Sequence, residues 1–183
     1  GELRMSDALR EPLVDTFGRA HRDLRVSVTD RCNLRCTYCM PADFAAWLPG
    51  DHLLSVDELV EVVDVAVERG ITSVRLTGGE PTLRPDIATI VERIATLPRA
   101  PRISLTTNGL RLVDLAEPLA AAGLERVNIS LDTMDAERFA RLTFRDRHAD
   151  VLAGIEAAIA AGLRPVKVNA VLMRGVNDDE AVD

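Results

Sequence analysis

The chain has 183 residues, 47% of them hydrophobic and only 3% aromatic, so any core must rest on Val, Leu, Ile and Ala. Its 22 Lys and Arg against 29 Asp and Glu give a net charge of −7, which argues against a general nucleic-acid binder, because such a protein presents a basic face. No apolar run approaches the ~20 residues of a membrane span, and no stretch has the charged start and apolar centre of a signal peptide, so a cytoplasmic protein without membrane contact is expected.

Residues 1–24 are polar and irregular and are read as an N-terminal extension, with Asp15, Phe17, Gly18 and Arg19 forming a turn. Residues 25–183 are read as one domain. Arg25 to Thr29 alternates and is β-branched, which predicts a strand. A loop with all three cysteines follows: Cys32, Cys36 and Cys39. Ser55 and Glu58 have the spacing of a capping box and start a helix whose apolar stripe is Leu59, Val62, Val63 and Ala66, closed by Gly70. The second strand, Thr72 to Thr77, ends at Gly78-Gly79-Glu80-Pro81. A helix from about Pro85 to Leu97 leads to a third strand, Ile103 to Thr107, stopped by Asn108-Gly109. A helix from Leu112 to Ala122 precedes the fourth strand, Val127 to Leu131. Helices near Ala136–Leu142 and Val151–Ala161 precede the fifth, Val166 to Val171.

Strand and helix alternate, which implies a parallel sheet with helical crossovers. The fold class is therefore α/β, a partial (β/α) barrel of about five strands. Buried parallel strands usually read as continuous apolar runs. These alternate instead. Arg25, Ser27 and Thr29 share one face of their strand, as do Ser73, Arg75 and Thr77, Ser104 and Thr106, Asn128, Ser130 and Asp132, and Lys167 and Asn169. The opposite faces are Val, Leu and Ile and should meet the helices, leaving a polar inner face. Arg25, Arg75 and Lys167 would all point inward. Two like charges ~8 Å apart repel by about 2 kcal/mol at an effective dielectric of ~20. Such cations call for an anionic ligand; otherwise each sits at a strand end and reaches solvent, or pairs with Asp132 or Glu80.

Three cysteines, an odd number in one loop without an export signal, argue for metal ligation rather than a disulfide framework. Zinc would need a fourth ligand from His21, His52 or His148, none at finger spacing. An iron–sulfur cluster on three cysteines leaves one iron free for a further ligand. In parallel α/β sheets, ligands sit at the carboxyl ends of the strands. The cysteine loop, Gly78-Gly79, Asn108 and Ser130 all fall there.

The cysteine spacing with Tyr38 before the last cysteine, together with Gly78-Gly79-Glu80-Pro81, resembles the radical S-adenosylmethionine (SAM) superfamily. The stretches Asp15 to Arg19, Leu24 to Asn33, Arg75 to Pro81, Thr106 to Gly109 and Val168 to Asp178 are similar, within it, to the GTP 3′,8-cyclase family of molybdenum-cofactor biosynthesis. That resemblance implies a [4Fe-4S] cluster on Cys32, Cys36 and Cys39, with SAM chelated to the open iron. Tyr38, Gly79, Glu80 and Ser130 would contact SAM. Arg25, Arg75, Thr106 and Lys167 would contact GTP. It also implies the reaction: SAM is cleaved to a 5′-deoxyadenosyl radical, which takes the 3′ hydrogen of GTP, and the sugar radical closes on guanine C8.

The implied partners are GTP, an electron donor, the next enzyme of the molybdopterin pathway and a second copy in a homodimer. That family continues beyond the length of this chain, with a sixth strand and a second cysteine triplet whose [4Fe-4S] cluster binds guanine. The chain is therefore expected to be truncated after about five strands, with activity in isolation uncertain. Two rival readings stay open: another radical SAM enzyme, for instance one modifying a peptide, and a non-catalytic metal-binding module.

Overall fold

Five parallel strands form one sheet in the order β1-β2-β3-β4-β5. They are β1 (Asp23–Ser27), β2 (Ser73–Thr77), β3 (Arg102–Thr107), β4 (Arg126–Ser130) and β5 (Val166–Asn169). The computed structural model describes residues 11–44 and 46–181. Residues 1–10 of the expected N-terminal extension lie outside the described residues. Sequence order equals spatial order, so each crossover moves the chain one strand along, as expected for part of a (β/α) barrel.

The connections carry α1 (Val56–Glu68), α2 (Ile87–Ala95), α3 (Leu112–Ala121), α4 (Ala136–Thr143) and α5 (His148–Ala160). The predicted capping box starts α1: the Ser55 hydroxyl accepts from the Glu58 N–H, and the Glu58 carboxylate accepts from the Ser55 N–H. Leu59, Val60, Val63 and Val67 turn inward from that helix. Ile87, Ile90, Val91 and Ile94 do so from α2, onto Val74, Leu76, Ile103 and Leu105 of the sheet. The core is aliphatic, with Phe139 its one buried aromatic ring among the described residues. No helix among the described residues is long and apolar enough to cross a membrane.

Strand ends differ from the sequence expectation for identifiable reasons. β1 starts earlier, at Asp23, and leaves the ladder after Ser27 rather than Thr29. The carbonyls of Thr29 and Arg31 instead accept the N–H groups of Gly79 and Glu80, at 2.8 and 2.7 Å. β5 stops at Asn169 rather than Val171, because the Val171 N–H turns to the Asp132 carboxylate at 2.9 Å. The expected apolar outer face of β5 is also incomplete, since Val168 is 51% exposed. Helix α5 begins three residues early, at a buried His148 whose Nε2 meets the Thr133 carbonyl and whose ring packs edge-on to Phe139.

Arg84 joins three of these parts. Its guanidinium donates to the Val28 carbonyl after β1 (2.9 Å), to the Leu54 carbonyl before α1 (2.8 Å) and to Asp86 before α2 (2.7 Å). The side chain is almost fully buried, so removing it leaves the buried Val28 carbonyl without a donor and frees two further partners. Arg84→Ala is expected to cost about 3 kcal/mol. Thermal unfolding followed by circular dichroism should show a midpoint lowered by roughly 6–12 °C.

Candidate functional site

The cysteine loop leaves β1 and crosses the carboxyl end of the sheet. Arg35 and Thr37 donate their N–H groups to the Thr143 and Leu142 carbonyls, using acceptors left free at the end of α4. Asn108, just past β3, donates its amide to the Asn33 side chain at 2.7 Å. All three cysteines are free thiols; Cys32 and Cys36 are partly buried and Cys39 is exposed.

Opposite the loop, Gly78 and Gly79 make the turn after β2. A Cβ on Gly79 would sit 2.3 Å from the Asp30 carbonyl oxygen and 2.4 Å from that of Arg31. Only glycine permits this backbone approach. Glu80 follows, buried to 1% exposure. Its Oε1 accepts from the Thr82 N–H and hydroxyl and from the Thr107 hydroxyl, and its Oε2 accepts from the Asn108 N–H at 2.7 Å. The carboxylate thus ties the β2 turn to the β3 turn, and Oε2 keeps a lone pair for one further donor.

These parts enclose one cavity. Its walls include all three cysteines, Tyr38, Gly79, Glu80, Thr106, Asn108, Ser130 and Asp132. The predicted cluster and SAM residues are therefore brought together, with Thr106 among them. Arg25 and Arg75 pair in register and line a neighbouring hollow with Asp23 and Ser73. Lys167 shares a rung with Asn128 and Thr106. Arg25, Arg75 and Lys167 form no ion pair among the described residues. The suggested internal partners are engaged elsewhere, Glu80 as above and Asp132 with Tyr38 and Val171.

The sequence reading passed over several residues. Arg126 stands on the rung of Ser104, Arg75 and Arg25, and adds a third guanidinium to it. Its parity with Asn128 and Ser130 was the available signal. Thr82 and Thr107 hold Glu80 in place, and Asp132, expected on the inner face as a partner for a cation, instead holds Tyr38 and Val171; strand alternation reveals neither.

Burial pushes the Cys36 thiol up to about 11, with Asp132 and the other two thiols adding to it. Cys32 is raised as well, by burial first and then by Glu80. Burial, followed by the bond to Asp132, raises the Tyr38 hydroxyl, so it stays a donor. A site that disfavours thiolates by itself is one suited to a cationic guest, whose charge reverses that preference.

A family model described as the radical SAM superfamily matches residues 26–183. The chain belongs to the radical SAM superfamily. GTP 3′,8-cyclase of Streptomyces coelicolor is 60% identical over 172 residues, covering 93% of this chain and 50% of that protein. GTP 3′,8-cyclase of Mycolicibacterium smegmatis is 61% identical over 173 residues, covering 94% and 48%. The chain thus spans about half the length of the curated relatives it matches. Among solved structures, Streptococcus suis SuiB bound to S-adenosylmethionine superposes with a TM-score of 0.69 at 23% identity, over 88% of this chain and 37% of that one. TYW1 with a lysine–pyruvate adduct gives 0.60 at 18% identity, over 87% and 58%. These two likenesses show the fold.

Membership in the radical SAM superfamily implies a four-iron cluster and SAM, and the residues present fit both. Among the described residues, no three His, Cys, Asp or Glu groups converge as around a single metal ion. The three cysteines line one cavity with Gly79 and Glu80, and a cluster, unlike a single ion, spreads its thiolates over several irons. His148, one of the proposed fourth zinc ligands, is occupied by Thr133 and Phe139.

The thiol positions make a pH prediction for the chain without a cluster. A folded Cys36 near 11 against an ordinary 9.0 means the folded state binds its proton more tightly. That contribution is complete below pH 9 and is lost as pH rises through about 11. Denaturant unfolding should show stability falling over that window, and falling less for Cys36→Ser.

Proposed function

We propose that this chain carries the cluster, SAM and part of the GTP-binding apparatus of a GTP 3′,8-cyclase, acting in the cytoplasm in molybdenum-cofactor biosynthesis. The observation that carries this reading is the juxtaposition on one sheet face of a cysteine and Gly-Gly-Glu rim with rows of unpaired cations. Identity near 60% to GTP 3′,8-cyclases over nearly the whole chain supports the substrate.

Cys32, Cys36 and Cys39 would hold three irons of the cluster. When bound, cluster and SAM together supply a one-electron cleavage that yields a hydrogen-abstracting radical. The protein's part is binding, orientation and exclusion of water. Glu80 Oε2, with its remaining lone pair, would accept from the methionine ammonium, and Gly79 lets that group approach the backbone. Ser130 would meet the polar end of methionine, and Tyr38 the adenine through its backbone. Arg25, Arg75 and Lys167 would bind the triphosphate, with Thr106 at the junction of the two ligands. These cations are exposed and form no ion pair among the described residues, so an anion of several charges would relieve the repulsion that solvent leaves between them.

The partners in this reading are GTP, a low-potential electron donor, a second copy of the chain and the next enzyme of the pathway. The peptide-modifying alternative has the likeness to SuiB, which has been solved with its precursor peptide, but at 23% identity that likeness concerns the fold.

Anaerobic reconstitution should give about four irons and matching sulfide per chain. Stoichiometric zinc without sulfide would overturn the enzyme reading in favour of a metal-binding module. Isothermal titration with GTP should show Arg75→Ala and Lys167→Ala each weakening binding by about tenfold or more. Unchanged affinity in both would remove GTP from the assignment.

A further inference from the structure

The two halves of the cysteine loop are anchored differently. Residues 32–37 have the α4 carbonyls, the Asn33 to Asn108 bond, and the Arg35 guanidinium on the Cys32 and Leu34 carbonyls. Residues 38–40 have the local turn in which Cys39 and Met40 donate to the Cys36 carbonyl, the Tyr38 hydroxyl beside the Cys36 thiol, and one long-range bond. That bond runs from the Tyr38 hydroxyl to Asp132 Oδ2 at 2.5 Å. Cys39, the exposed thiol, is the next residue.

Asp132 is itself held. Its Oδ1 accepts the Val171 N–H at 2.9 Å, and its backbone carbonyl accepts the Asn177 amide at 2.6 Å. Asn177 is fully buried. The same amide also donates to the Val171 carbonyl at 2.9 Å, and its oxygen accepts the Met173 N–H at 2.7 Å. One buried side chain therefore closes the segment after β5 onto the end of β4.

We propose that Asn177, Asp132 and Tyr38 form a hydrogen-bonded brace that positions Cys39, so that the segment following β5 sets how firmly the third thiolate holds its iron. This rests on the three-cysteine cluster reading. The physical case is one of alternatives. A thiolate on an exposed, locally held turn swings away at little cost, and its iron is then open to chelators. A charge-assisted bond to a carboxylate with no freedom of its own removes that motion. A phenol is required because Asp132 offers only acceptors to it. Phenylalanine would preserve the packing and lose the brace. Asn177 is a positioning residue here, since it reaches Cys39 only through Asp132 and Tyr38.

The test is the rate at which an iron chelator bleaches the reconstituted cluster, followed by absorbance, with the three-iron species monitored by electron paramagnetic resonance. Tyr38→Phe should lose the whole cluster about tenfold faster or more, without accumulating the three-iron form, which needs all three thiolates, and with little change in the melting of the cluster-free chain. Asn177→Ala should act in the same direction, and the double variant should be no faster than Tyr38→Phe alone, because both act along one chain of contacts. Asp179→Ala, in the same segment after β5 but paired with Arg138 and itself exposed, should match the wild type. Wild-type kinetics in Tyr38→Phe would overturn the brace while leaving the cluster reading intact. Full additivity would overturn the role of Asn177. A wild-type chain that takes up no iron would overturn both the brace and the reading beneath it.

Discussion

The rest of the site depends on how closely two stretches of backbone meet. The Gly78-Gly79 turn lies against residues 29–31 at a distance no side chain allows, and two backbone hydrogen bonds hold it there. That contact pulls β1 out of its ladder two residues early and sends the chain across the sheet as the cysteine loop. Glu80 then carries the constraint sideways. Its buried carboxylate draws Thr82, Thr107 and the Asn108 N–H to one point, which joins the carboxyl ends of β2 and β3. A buried carboxylate is costly unless its lone pairs are filled, so this arrangement tolerates little movement. Asn108 passes the constraint back to the loop through Asn33. The rim is thus a closed circuit of contacts rather than a set of independent turns.

Below the rim, the inner face of the sheet follows another logic. Its rungs carry Arg25, Arg75 and Arg126 on one level, and Thr106, Asn128 and Lys167 above. An ordinary barrel interior is filled with branched apolar side chains and gains stability from them. This one forgoes that gain on one side and relies on the helix-covered face, where Leu76, Leu105, Ile129 and the α2 isoleucines exclude water. Glu80 and Asp132 are engaged in holding loops, and Arg25, Arg75 and Lys167 stay unpaired and exposed to solvent. The two faces differ in kind: one packs against the helices, and the opposite one carries polar and cationic side chains.

Much of this was legible in the residues. The capping box at Ser55, the glycine stops and the strand alternation located the five strands and five α-helices of the described residues to within a few residues, and missed the short 3-10 turns. The cysteine spacing and the Gly-Gly-Glu turn located the rim. The two misjudged carboxyl ends of strands share a cause: a backbone group was captured by a distant partner, at Thr29 by Gly79 and at Val171 by Asp132. Local pattern cannot register a bond across 39 or more residues. The role of Asp132 escaped for the same reason. By alternation it belongs with Ser130 on the ligand face, whereas its carboxylate is engaged by Tyr38 and Val171.

The sequence by itself determined the order of elements, the apolar and polar faces, and the chemistry of the thiol loop, because each is written in spacing of two, of three to four, or in contiguous motifs. Tertiary structure alone decided which of those groups meet. Only the folded chain puts Glu80 on Thr107, Asn33 on Asn108, and Tyr38 on Asp132, and only the register aligns Arg126 with Arg25 and Arg75. Those contacts depend on strand offsets of single residues and on turns that cross between strands. The cysteine loop announced metal from its spacing; what steadies it came from residues far along the chain.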